Sequence, residues 1–104
     1  MNRFSEKDWK LFRSKLPGWQ EAYMGKLNQE YIELLSGEGN DSDKFWELEK
    51  RIREDQKDCG VQCHINRSNQ FFIMASLLKE GAITVDDLEE FSDDLKDTMK
   101  HFGY

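Results

Sequence analysis

The sequence predicts an all-α fold, a compact bundle of about five helices in a single domain over residues 1–104. Leu, Glu, Lys, Asp and Phe dominate the composition, whereas Val, Ile and Thr, which favour strands, are few. One proline and seven glycines leave room for long helices. Apolar side chains recur every three or four residues, the spacing that gathers them on one face of a helix.

The first two helices are predicted on either side of Pro17. Ser5 followed by Asp8 is a capping-box pattern, which predicts a first helix over residues 5–15. Proline disfavours a helical conformation at the preceding residue and is a good first residue for a new helix. A second helix is therefore expected over residues 18–35. Its inward stripe would consist of Met24, Leu27, Tyr31 and Leu34, widened by Trp19, Tyr23 and Leu35.

A third helix is predicted after the glycine-containing loop at residues 36–41. Ser42, or Asp41 beside it, would cap its start. Gly60 would close the segment that ends it. The positions expected to face inward are Phe45, Leu48 and Ile52, with Trp46 at the border.

The fourth helix, over residues 62–80, is expected to occupy the centre of the bundle. Residues 71–78 (FFIMASLL) are apolar on nearly every side, and such a helix is normally surrounded by neighbours. Gly81 would end it in the left-handed conformation. Thr84 and Asp87 then form an acidic capping box, so a fifth helix is expected from Val85. Its inward residues would be Leu88, Phe91, Leu95, Met99 and Phe102, and a cap-like sequence at Ser92 leaves its continuity open.

The charge distribution bears on partners and location. A formal net charge of −6 argues against general binding to nucleic-acid phosphates and against attraction to an anionic membrane. No apolar stretch approaches the ~20 residues that span a bilayer, so we expect a cytoplasmic protein without membrane contact. Residues 1–16 carry +3 and residues 86–100 carry −5. These two ends are either separate solvated faces or neighbours.

Cys59, Cys63 and His64 form the one cluster of soft ligands in the sequence. They could provide three corners of a zinc tetrahedron, with His101 as a distant fourth. The alternative is two small structural thiols, which we expect because the spacing is wrong for a paired C-x-x-C site. Adjacent side chains on a helix diverge by about 100°, so a bond between Cys63 and His64 is not expected. We therefore predict no metal, no cofactor and no catalytic residue.

Aromatic and cationic residues are the candidates for an interface. The three tryptophans lie on or beside apolar stripes, where core packing is the usual role and an exposed one would mark a binding site. Arg67 lies at the polar start of the fourth helix. If that end is buried, its guanidinium needs a carboxylate partner, so we expect a structural ion pair, with a ligand contact as the alternative. The candidate interface residues are Trp9, Trp19, Tyr23, Trp46 and Arg67.

Four segments resemble a group of short, uncharacterised bacterial proteins, some of them automatically named multidrug transporter. The segments are residues 4–9 (FSEKDW), 16–20 (LPGWQ), 43–49 (DKFWELE) and 83–88 (ITxDDL). The resemblance implies an all-α fold over nearly the whole chain and transfers no site residues. A mean hydropathy of −0.85 conflicts with a membrane pathway, so we set the transporter name aside.

The sequence therefore predicts a small acidic protein of non-catalytic, interaction or regulatory type. It would bind other proteins, or itself as a homodimer, through helical surfaces. One alternative is a nucleic-acid-linked regulator, in which the basic first helix touches phosphate or the acidic last helix imitates it. A second is a metal- or thiol-dependent enzyme that uses the Cys/His cluster.

Overall fold

The computed structural model describes residues 5–101. It contains four α-helices and one short 3₁₀ helix, and no strand occurs among these residues. In chain order they are α1 (Glu6–Ser36), α2 (Asp41–Asp55), α3 (Gln70–Glu80), the 3₁₀ helix (Val85–Leu88) and α4 (Asp93–His101). The all-α prediction is confirmed, whereas the arrangement of five helices is not.

Helix α1 runs through Pro17 without ending, so the prediction of two separate helices was wrong. The Ser5 side chain caps its start, because its Oγ accepts a hydrogen bond of 3.1 Å from the Asp8 N–H. An internal proline removes one backbone bond and costs about 3 kcal/mol. Packing offsets that cost, since Leu16 is buried and the Trp19 ring stacks on Phe91 with centroids 6.2 Å apart. The resulting helix has 31 residues, about 46 Å, in a molecule 53 Å long.

The hydrophobic core lies at one end of this long helix, which we call the core end. It consists of the first half of α1, α3, the 3₁₀ helix and α4. The fully buried side chains there are Phe12, Met74, Leu77, Leu88, Leu95 and Met99. The inward positions predicted for the last helix are confirmed at Leu88, Phe91, Leu95 and Met99, whereas Phe102 lies outside the described residues.

Helix α3 begins at Gln70, eight residues after the predicted start. Two asparagines account for the difference, because their side chains compete with the helix for backbone hydrogen bonds. Asn66 Oδ1 accepts from the N–H groups of Ser68 and Asn69, and Asn69 Oδ1 accepts from the Asn66 N–H at 2.8 Å. The predicted central position is not confirmed, since Phe72 is 73% exposed and one side of the helix faces solvent.

The connection after α3 follows the sequence prediction closely. Gly81 has φ of +79° and closes the helix in the left-handed conformation. Thr84 and Asp87 form the capping box, although only a four-residue 3₁₀ helix follows. The chain then breaks at Ser92, whose Oγ accepts from the Leu95 N–H at 3.2 Å and starts α4.

The two oppositely charged ends of the sequence are neighbours. Lys15 Nζ lies 2.8 Å from Glu90 Oε1. Asp8 is buried, and its carboxylate accepts from the backbone N–H of Ser92 at 3.0 Å and from the Ser92 hydroxyl at 2.5 Å. One carboxylate therefore ties the start of α1 to the start of α4.

The other end of the molecule is an arm, formed by residues 24–36 of α1 and by α2, which packs against them. Helix α2 starts after Asn40, not after the predicted Asp41 or Ser42, and Asn40 gives no side-chain cap. The prediction that Phe45 and Ile52 face inward was wrong. Both are exposed, and none of the 15 residues of α2 is buried.

Candidate functional site

The two thiols lie at the junction between the core end and the arm. Cys59 and Cys63 are half-buried and close enough to share a hydrogen bond. Gln20 Nε2 donates to the Cys59 carbonyl at 2.9 Å and contacts Cys63 Sγ at 3.6 Å. The backbone turn from Asp58 to Gln62 brings the two cysteines to one side, although no helix starts there.

The environment of these thiols keeps them protonated. Burial, the neighbouring Cys59 sulfur and the Glu80 carboxylate raise the pKa of Cys63 to about 11. Burial and the same carboxylate also raise the pKa of Cys59. The thiolate is the nucleophile, so the nucleophilic reactivity of both cysteines is low at neutral pH.

His64 does not complete a metal centre with the two cysteines. Its side chain is exposed, and its backbone carbonyl accepts from Asn69 Nδ2 at 2.9 Å. Across residues 5–101, no group of three or more His, Cys, Asp or Glu side chains is placed to hold a metal ion. The geometry at Cys59, Cys63 and His64 therefore resembles two structural thiols beside a solvated imidazole.

Glu80 is a junction residue that the sequence reasoning missed. Its two carboxylate oxygens accept from the backbone N–H groups of Cys59 and Gly60, each at 3.0 Å. A Cβ added to Gly60 would lie only 2.3 Å from Tyr23 Cδ2, so the close approach of Gly60 to that ring requires glycine. Local sequence gave no signal for Glu80, because its partners lie about 20 positions away.

Three of the predicted interface residues are covered. Trp9 and Tyr23 are buried, and Trp19 is partly buried against the core. Arg67 is exposed and forms a bidentate ion pair with Glu6, with its Nη2 2.6 Å from Glu6 Oε1. Its guanidinium also lies 5.4 Å from the Trp9 ring centroid. An ion pair is therefore present, but at the surface and not in the buried setting for which it was predicted.

Trp46 is the predicted interface residue that is both aromatic and open to solvent. It is 63% exposed and meets Phe45, itself 62% exposed, edge to face at 5.0 Å. Two neighbouring aromatic side chains on the surface of a helix without a buried residue mark a region suited to binding.

Polar contacts hold the two helices of the arm together. Tyr31 donates to Asp55 at 2.6 Å, and at the junction Tyr23 donates to Asp58 at the same distance. Burial and the bond to Asp55 raise the pKa of Tyr31 to about 12, so this hydroxyl stays a donor through the neutral range. Arg51 of α2 also contacts Glu30 of α1 at 2.8 Å. The arm therefore has a defined antiparallel register.

One side of the arm is a continuous apolar surface, which we call the arm face. Ile52 lines two adjoining grooves, one with Phe45 and Leu48, the other with residues of α1. Met24, Asn28, Tyr31 and Leu35 recur at helical spacing on the same side of α1. The arm face consists of Met24, Tyr31, Leu35, Phe45, Leu48 and Ile52. Asn28, Glu49, Arg53 and Gln56 give it a polar edge.

Comparison with known proteins identifies no relative of this chain. No known family model matches the chain, and no curated protein or solved structure is significantly similar to it. The resemblance to short bacterial proteins stays a prediction. Within residues 5–101, no helix is both long enough and apolar enough to cross a membrane.

Proposed function

We propose that this chain is a non-catalytic binding protein that contacts other proteins through the arm face. The observation that carries the proposal is the exposure of Phe45 and Ile52 on α2, a helix that buries no residue of its own. Short helices are marginal in water unless an apolar face is packed. A protein partner that covers this face would supply that packing.

The layout of the arm supports a protein partner in preference to a small molecule. Large aromatic and aliphatic side chains lie along both helices of the arm, and charged and amide groups lie at the edge of this surface. An apolar centre with a polar rim is the usual anatomy of a protein interface. Helical partners fit such a groove by inserting residues at i, i+3, i+4 and i+7.

The experiment is affinity capture from the native cell with the wild-type chain and two matched variants. Phe45→Asp places a charge in the centre of the arm face. Phe72→Asp places the same charge at an exposed aromatic position on α3, outside the arm. We expect Phe45→Asp to lose the captured protein and Phe72→Asp to retain it. Equal capture by both variants, or loss in Phe72→Asp alone, would refute the proposal.

A further inference from the structure

We infer that the arm face is covered by the arm of a second copy of this chain. In this arrangement α2 of each copy packs antiparallel on α2 of the other, and the two arms form a four-helix bundle with two-fold symmetry. The inference rests on the proposed function, since it names the partner of that same surface.

The first argument is that the arm has the arrangement of one half of a four-helix bundle. Two antiparallel helices present apolar residues on one shared side, and the contacts between them include the polar bonds Tyr31–Asp55 and Arg51–Glu30. In four-helix bundles such a pair is covered by a second pair. The core end cannot provide that cover, because its apolar side chains are used in its own cluster.

The second argument is area. Helix α2 is about 22 Å long, and two helices side by side are about 20 Å wide. The arm face therefore measures roughly 450 Å² per copy, or about 900 Å² over both copies, without the additional area of protruding side chains. That value lies below the roughly 1,200 Å² of stable specific interfaces, so we expect a weak, reversible dimer that forms only at high protein concentration.

The third argument is charge. The first part of α2 (residues 41–49) carries four acids and one base, whereas residues 50–55 carry three bases and two acids. Antiparallel pairing places the acidic part of one helix opposite the basic part of the other, and parallel pairing would oppose two acidic parts. Antiparallel pairing is therefore the orientation that the distribution of charge along α2 favours, and it also opposes the helix dipoles.

These arguments fix the centre of the interface. Maximal overlap of two antiparallel α2 helices places the two-fold axis near Leu48, the middle residue of Asp41–Asp55. Phe45 of one copy then lies over Ile52 of the other. Glu49 lies close to the axis and therefore close to its own symmetry mate, and its ion pair with Arg53 reduces the repulsion between the two carboxylates. Ser42 is about two helical turns from the axis.

Sedimentation equilibrium of the purified full-length chain, from about 1 µM to about 1 mM, tests the association. We expect the wild type to dimerise, Phe45→Asp and Ile52→Asp each to raise the Kd at least about tenfold, and Phe72→Asp to change it less than about twofold. Circular dichroism verifies that each variant is folded. A wild type that stays monomeric at 1 mM, or folded variants at both positions 45 and 52 that dimerise normally, would overturn the inference.

Disulfide trapping tests the orientation in a background where Cys59 and Cys63 are replaced by serine. We expect Glu49→Cys to form a cross-linked dimer under oxidation and Ser42→Cys to stay monomeric. Efficient cross-linking of both would indicate a parallel arrangement and contradict the antiparallel one. Cross-linking of neither would place the axis elsewhere and contradict the register.

The two proposals fail in different ways. If the pure protein stays monomeric while Phe45→Asp loses a captured cellular protein, the arm face binds a different partner and only the self-association is wrong. If the protein neither associates nor shows capture that depends on Phe45, both proposals are wrong.

Discussion

The core end and the arm use the same long helix in opposite ways. The first half of α1 buries Phe12 completely among residues of α3 and α4, while the second half supports α2, in which nothing is buried. Apolar burial is the main source of folding free energy. The core end therefore provides most of the stability of the molecule, whereas the arm has an apolar surface open to solvent.

Truncation of one aromatic side chain at each end gives the largest expected contrast. Phe12→Ala removes a fully buried ring and should lower the free energy of unfolding by about 3–5 kcal/mol. Phe45→Ala, measured at a concentration where the chain is monomeric, should change it by about 0.5 kcal/mol or less. Urea denaturation measures both values. Similar losses at the two positions would show that the arm belongs to the folding core.

A glycine at the junction tests how the two ends are joined. Gly60→Ala would place a Cβ 2.3 Å from the Tyr23 ring, so the ring must shift and the Tyr23–Asp58 bond is strained. We expect a loss of about 1–3 kcal/mol. Gly25→Ala is the matched control, because a Cβ there meets nothing within 4 Å and should stabilise α1 by about 0.5–1 kcal/mol. If Gly60→Ala lowered the free energy of unfolding no more than Gly25→Ala does, the junction would not be closely packed.

The buried carboxylate of Asp8 should contribute to the stability of the core end. Asp8→Ala leaves the Ser92 N–H and hydroxyl without their acceptor, which should cost about 1–3 kcal/mol. Asp97→Ala changes an exposed acid of α4 and should have an effect within about 0.5 kcal/mol. Thermal unfolding of the two variants checks the difference, and a neutral Asp8→Ala would mean that the tie between α1 and α4 contributes nothing.

The junction thiols should be protected from alkylation in the native protein. With its pKa raised from 9.0 to about 11, Cys63 at pH 8 is thiolate in about 1 molecule in 1,000, against about 1 in 10 when unfolded. Iodoacetamide labelling followed by mass spectrometry should therefore be about 100-fold slower in the native protein than in urea. Rapid native labelling at pH 7 would contradict the protected environment.

The same shift has a consequence for stability at high pH. The native state holds the Cys63 proton more tightly than the unfolded state does, so the contribution is present below pH 9. The free energy of unfolding should fall as the pH rises from about 9 toward 11.

Local signals in the sequence identified several ends and caps correctly. The Ser5 cap, the left-handed Gly81 and the Thr84–Asp87 capping box all depend on neighbours within a few residues, and all three were found. The continuous α1 was missed, because Pro17 is a strong local signal that tertiary packing of Leu16 and Trp19 overrides.

The candidate site was missed for a related reason. An apolar stripe on α2 predicts that Phe45 and Ile52 are covered, and sequence cannot tell whether the cover comes from the same chain. Only the distribution of elements along α1 shows that one face of the arm is open. The roles of Glu80 and Asp8 were likewise hidden, because each acts on backbone groups far away in sequence.

Native-state hydrogen exchange at two protein concentrations tests the division into a stable core end and a binding arm most directly. At about 1 µM the amides of α3 and α4 should exchange through global unfolding, while those of α2 open locally and exchange much faster. At about 1 mM the protection of α2 should rise while that of α3 stays the same. Amides of α2 that are as protected as those of α3 at both concentrations would contradict the account.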